Sequence, residues 1–137
     1  MSLRALDTDI CIYALNGRPP EVGARLSALE AEPIGVPTAV IAELRYAALN
    51  SARVALNMER HRAFLGAFEA LPFDEAAAHY FGELKHALAT TGQLIGLMDM
   101  VIAATALAHD ATLVTNNMRE FSRVPGLRLE NWTEPRG

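Results

Sequence analysis

The chain has 137 residues, enough for one domain with its own core and too few for two. Half of it is hydrophobic (51%), and a single cysteine, Cys11, excludes an internal disulfide scaffold. The formal charge of −4, from 12 basic and 16 acidic residues, argues mildly against nucleic-acid binding; all the basic residues but Lys85 are Arg, however, whose forked guanidinium suits phosphate.

Leu3 to Asp7 reads as a short buried strand, met at once from Met1 with no signal-peptide pattern before it. Ile10 to Asn16 predicts a helical turn or two, stopped by Gly17 and the Pro19-Pro20 pair. Glu21 to Ala31 carries Val22, Leu26 and Leu29 on one helical face, and Ile34 to Val36 forms a second short strand. Thr38 suits the N-cap of a helix over 39–50, and a further helix covers about 53–69. Leu71-Pro72-Phe73 is a brief extended piece. Asp74 then caps a long helix with Ala77, Phe81, Leu84 and Leu88 on one face, closed by Gly92. Asp99 opens a very apolar helix to about His109, Ala111 to Thr115 is a strand, and Pro125-Gly126 turns into a last strand at 127–130. The longest uncharged apolar run, Met100 to Ala108, falls far short of the roughly 20 residues a membrane helix needs. A cytoplasmic protein is expected.

Strands alternate with helices throughout, the pattern of an α/β fold with a short, mostly parallel central sheet and helices on both faces. One such unit is expected over residues 1–137. In these sheets ligands sit beyond the carboxyl ends of the strands, where the strand order reverses. Asp7 stands at the carboxyl end of the first strand, and Asn116 and Asn117 at that of the 111–115 strand. Asp99 stands at the amino end of a helix and Glu43 in the first turns of another. Strand carboxyl ends and helix amino ends share one edge of a parallel sheet, so these positions can converge on one crevice.

Each position also has an ordinary structural role available. Asp99 suits an N-cap, Asp7 a strand-to-helix turn, and the two Asn residues a turn. Glu43 is harder to place so, because Val40 and Ala47 put it on or beside an apolar stripe, where Glu is rare unless paired or bound to a cation. Clustered carboxylates with oxygen-only donors suit Mg²⁺, which keeps several of its waters and polarises a phosphodiester. Arg119 is a candidate phosphate contact or a salt-bridge partner. The four histidines (His61, His79, His86, His109) fall on helices or helix ends without a metal-binding pattern, and Trp132 and Phe121 read as core or interface.

Leu6-Asp7-Thr8-Asp9-Ile10-Cys11-Ile12-Tyr13, Ala42-Glu43-Leu44 with Tyr46, and Ile95-Gly96-Leu97-Met98-Asp99 with Ile102-Ala103-Ala104 follow one another in order. Then come Thr112 to Asn117, Arg119-Glu120-Phe121, Val124-Pro125-Gly126 and Glu130-Asn131-Trp132. In that order and spacing they resemble the toxin-type PIN-domain ribonucleases, the VapC family of toxin–antitoxin systems. The resemblance covers nearly the whole chain. It implies a PIN-like fold and an endoribonuclease using Mg²⁺, with Mn²⁺ as an alternative, held by Asp7, Glu43 and Asp99. The family's fourth acidic position falls near Asn117, an amide and a weaker ligand, and Thr8, Asn116 and Arg119 are the accompanying candidates for substrate contact. It also implies RNA substrates such as transfer RNA, a VapB-like antitoxin that covers the site, and a homodimer. Two departures stand out: Asp9 replaces the more usual Asn, and Leu97 the more usual Pro.

Two other readings compete. A non-catalytic binding module with the same fold would not need the three carboxylates. A phosphatase like the haloacid dehalogenase group would use Asp7 and Asp9, but it needs a phosphate-binding Lys and a late acidic pair, and neither is evident.

Overall fold

The computed structural model describes residues 2–135. Among these, β1 (Arg4–Leu6), β2 (Ile34–Pro37), β3 (Glu69–Leu71), β4 (Thr112–Val114) and β5 (Leu129–Glu130) form one sheet of order β3-β2-β1-β4-β5. Every neighbouring pair is parallel, with Arg4 opposite Ile34 on one side of β1 and opposite Thr112 on the other. The helices are α1 (Thr8–Asn16), α2 (Pro20–Ala28), α3 (Thr38–Leu49), α4 (Val54–Leu65), α5 (Glu75–Thr90), α6 (Leu97–Ala108) and the short α7 (Met118–Phe121). The chain steps outward from β1 to β2 to β3, then crosses back to β4 and on to β5. Right-handed crossovers run in opposite directions put helices on opposite faces of the sheet.

The central strands are buried on both faces, which is why they read as continuous apolar runs rather than alternating ones. Leu6, Val36 and Leu113 join Ile10 and Leu44 from one layer and Ile102 from the other, with Phe121 and Trp132 also fully enclosed. Beyond its exposed first turn, α6 is apolar on nearly every face because it is covered there: Met100 and every residue from Ile102 to Ala106 are buried, with α5 packed along it.

Several element boundaries differ from expectation. Asp7 is itself the N-cap of the first helix, so α1 starts at Thr8 rather than Ile10 and ends where Gly17 takes a left-handed φ of 72°. α2 stops at Ala28. Thr38 is the first residue of α3, with Pro37 in the cap position and no side-chain cap; the Thr38 hydroxyl instead accepts from the Phe73 N–H at 3.4 Å. α4 ends at Leu65, and the extended segment lies at Glu69–Leu71, earlier than 71–73. Asp74 caps α5 through the Ala77 N–H, as expected. Asp99 is not a cap: Gly96 holds that position and Asp99 is the third residue of α6.

Candidate active site

The strand order reverses between β1 and β4, and the site is built there. The Asp7 N–H donates to the Val114 carbonyl at 2.9 Å, continuing the β1–β4 ladder by one residue. The Asp7 side chain, only 6% exposed, is then fixed from both sides. Its Oδ1 accepts from the Thr8 N–H at 2.8 Å and its Oδ2 from the Thr115 hydroxyl at 2.7 Å. Burial pushes the Asp7 carboxyl up to about 7, with the Asp9 charge adding to it and the Thr115 and Thr8 bonds opposing.

Glu43, half-buried on α3, is tied to the same turn: the Thr8 hydroxyl donates to its Oε1 at 2.6 Å. Asp99 reaches the edge from the first turn of α6, where the helix dipole favours a negative side chain. Gly96, the N-cap, lies against that carboxyl: a Cβ there would be 3.4 Å from Asp99 Oδ2, an ordinary contact. Burial pushes Asp99 up to about 6, helped by the hydrogen bond and charge of Glu120, then by the charges of Glu43 and Asp9. Glu120 is held below its usual range by its interaction with Asp99 and then by the Asn117 amide, which donates to its Oε2 at 3.3 Å.

The other predicted positions divide. Asn116 joins the site through its backbone, donating to Asp9 Oδ2 at 3.0 Å. Its side chain is held by Tyr13, Asn131 and Thr133. Asn117 is the N-cap of α7, its Oδ1 accepting from the Glu120 N–H at 3.4 Å, a capping role rather than the turn role open to it from sequence. Arg119 is exposed on α7 and makes no ion pair among the described residues.

Two acids that sequence reasoning did not place in the site belong to it, Asp9 and Glu120. Asp9 falls in the first turn of α1 once the helix is started at Thr8. Glu120 stands three residues after the Asn117 cap, a spacing that brings a side chain back over the cap. The histidines stay apart: His61 and His109 face the carbonyls of Leu44 and Pro72, and His79 lies beside Glu75.

Asp7, Asp9, Glu43, Asp99 and Glu120 are therefore linked by hydrogen bonds or mutual charge at one sheet edge. They form an open cluster: among the described residues, no three His, Cys, Asp or Glu side chains close into a ligand cage. The donors are all oxygen, and Asp9 Oδ1 is buried with no hydrogen-bond partner. An orphaned anionic oxygen among raised carboxyls fits a hard divalent cation that keeps part of its water shell.

The PIN domain model matches residues 4–127. The chain belongs to the PIN-domain family. Within it the VapC branch is the match. Ribonuclease VapC2 of Rickettsia felis is 41% identical over 128 residues, spanning 93% of this chain and 96% of that protein. The tRNA(fMet)-specific endonuclease VapC of Shigella flexneri is 35% identical over the same shares. The crystal structure of Rickettsia felis VapBC2 bound to a promoter DNA fragment contains a chain that superposes with a TM-score of 0.90 at 39% identity, covering 95% of this chain and 98% of that one. The phosphatase reading gives way to this membership, and Lys85, which it would need at a phosphate, sits 5.8 Å over the Phe81 ring.

Two further features bear on a VapC-family chain. A cavity of about 360 Å³, lined by Thr8, Ala42, Glu43, Tyr46 and Met98, adjoins the acidic cluster. An apolar groove of about 320 Å³ runs between α3 and α4, lined by Ile41, Leu44, Ala48, Met58 and Leu65 among others. Among the described residues, no helix is long and apolar enough to cross a membrane.

Proposed function

We propose that this VapC-family ribonuclease is the toxin of a toxin–antitoxin pair, a Mg²⁺-dependent endoribonuclease that cuts transfer RNA or other structured RNA in the cytoplasm. Mn²⁺ is the alternative ion. The observation that carries the reading is the acidic cluster at the strand-order reversal. Two carboxyls there, the buried Asp7 and the half-buried Asp99, are held high by desolvation and neighbouring charge, and among the described residues no Arg or Lys forms an ion pair with any member. Such a cluster is stabilised by a divalent cation.

In this reading Asp7, Glu43 and Asp99 hold the ion, and the Asn117 amide, engaged in capping α7, contributes at most through water. The bound ion supplies Lewis acidity toward the phosphodiester. The chain's own groups do the rest. Thr115 and the Thr8 N–H lock the Asp7 rotamer, and the Thr8 hydroxyl locks Glu43. Preorganised carboxylates need no rearrangement when charge develops at the reacting phosphate. Glu120 stands beside Asp99 and adds its negative charge to the cluster. Thr8 and Asn116 line the approach, and the exposed Arg119 offers a fork to a neighbouring phosphate. The α3–α4 groove suits an amphipathic segment of a VapB-like antitoxin, and a homodimer is the assembly this family resemblance implies.

The test is cleavage of a structured RNA by protein freed of its partner. Cutting is expected with Mg²⁺ or Mn²⁺ and should stop with EDTA. Asp99→Ala should lower the rate by at least about a hundredfold, with the circular dichroism spectrum unchanged. Equal cutting in EDTA would defeat the metal mechanism, and an active Asp99→Ala would remove that residue from the site.

A further inference from the structure

The cavity of about 360 Å³ beside the acidic cluster has walls of two kinds. Thr8 and Glu43 form the wall it shares with the cluster, fixed to each other by the 2.6 Å bond from the Thr8 hydroxyl. The remaining walls are Ala42, Tyr46 and Met98. No Arg or Lys lines the cavity, and its one charged group, Glu43, is an anion. A phosphate would meet no cation there and a like charge. A flat, uncharged group with apolar faces fits.

Tyr46 is the residue to be explained. It is 68% exposed, more than any other large hydrophobic side chain left at the surface. A tyrosine ring so placed forgoes the burial that is its usual contribution to a fold. The aromatic pairs among the described residues, Phe64–Phe68 and Phe73–Phe81, do not include it. Its place on α3 is specific. Three residues after Glu43, it stands about 5 Å further along the same helix face, and Ala42, four residues before it, is too small to cover the ring. Met98, 40% exposed in the first turn of α6 beside Asp99, brings a polarisable thioether to the same cavity.

We propose that this cavity is a nucleobase subsite, in which the base of a nucleotide next to the scissile phosphate stacks on the face of Tyr46, with Met98 packing against it. This rests on the reading that the phosphodiester reacts at the acidic cluster. The shared Thr8–Glu43 wall then puts a base in the cavity beside a phosphate at the carboxylates. RNA offers such a base where the strand is unpaired and its bases can be splayed out. Stacking on an aromatic ring accepts any base, because every base has a π-face. Tyr46 orients the nucleotide and moves no proton.

The experiment takes a synthetic RNA hairpin that the wild type cuts at one mapped bond, and the same hairpin made abasic on the 5′ or the 3′ side of that bond. Steady-state constants in Mg²⁺ are compared for wild type, Tyr46→Ala and Tyr46→Phe. On the intact hairpin Tyr46→Ala should raise KM on the order of tenfold, the effect of losing one base–aromatic stack, with kcat changed less and Tm unchanged. Tyr46→Phe keeps the face of the ring and should stay within about threefold of the wild type. One of the two abasic hairpins should weaken the wild type equally, and on it Tyr46→Ala should lose nothing further, because both changes remove the same contact. Losses that add in full on both abasic hairpins would overturn the subsite. So would unchanged constants in Tyr46→Ala, which would leave the exposed ring to a protein partner instead. If Asp7→Ala and Asp99→Ala both still cut the hairpin, the acidic cluster is not where the bond reacts, and the inference falls with that reading rather than on its own.

Discussion

Asp7 combines near-complete burial with two hydrogen bonds that its carboxylate accepts, and the balance between them decides its charge. Burial outweighs the bonds and leaves the carboxyl at about 7, against 3.8 for a free Asp. Below about pH 4 the group is protonated in folded and unfolded chains alike. Between there and about 7 the folded chain keeps a proton that the unfolded chain has released, so the stabilisation is lost as pH rises through that window. Asp99, raised to about 6, contributes with the same sign. In EDTA, Tm is therefore expected to fall from about pH 5 to about pH 8, and the slope should flatten in Asp7→Asn. A slope that is identical in the variant would mean the Asp7 carboxyl is ionised throughout. Cys11, buried beneath this pair, has its thiol pushed up by desolvation and then by the Asp7 and Asp9 charges, and should resist alkylation in the folded protein.

Short elements place these residues, and their packing is tight enough to test one atom at a time. A Cβ on Gly35 in β2 would stand 2.7 Å from Cγ of Leu71, and both methyl carbons of that side chain lie within 2.9 Å. Leu71 is buried on β3, packed within the core. Gly35→Ala should destabilise the protein by about 1–3 kcal/mol in urea denaturation, the usual effect of overpacking. A change within about 0.5 kcal/mol would mean that β3 yields easily. The same shortness explains what the sequence made legible. Helices with a clear apolar face, such as α5 with Ala77, Leu84 and Leu88 buried, were readable from spacing alone. β3 was not, because three residues, Glu69–Leu71, give no periodicity and run on from a helical pattern. The strand-end position of Asp7 and the helix-start positions of Glu43 and Asp99 were legible because topology fixes which edge they share. Asp9 and Glu120 were not, because their membership depends on where α1 begins and on how α7 is capped, which are matters of one or two residues.

At the scale of the whole molecule, the last strand ties the chain back to its first and to the site. Trp132 is fully buried, and its indole N–H donates to Glu130 Oε1 at 3.0 Å, the same oxygen that pairs with Arg4 on β1 at 3.0 Å. The flanking residues turn the other way: Asn131 and Thr133 both donate to Asn116 Oδ1 at 3.1 Å, and Asn116 in turn supports Asp9. This one segment thus closes the core and braces the rim of the acidic cluster. Trp132→Ala should remove about 3–5 kcal/mol, a large part of the 5–15 kcal/mol typical of a folded domain, by leaving a cavity of indole size. Trp132→Phe keeps most of the buried area and loses only the N–H, so its effect should be nearer 1–2 kcal/mol. Because Trp132 is the only tryptophan, its emission also reports the transition in the wild type. The native band should be blue-shifted and shielded from iodide, then shift red in one step with unfolding. A loss of less than about 1 kcal/mol in Trp132→Ala would mean that the rest of the core holds the sheet without this clasp. The bracing role makes a separate demand. Asn131→Ala, far milder for the core, should lower RNA-cleavage rate more than it lowers Tm, because it loosens Asn116 and Asp9 while leaving Trp132 in place.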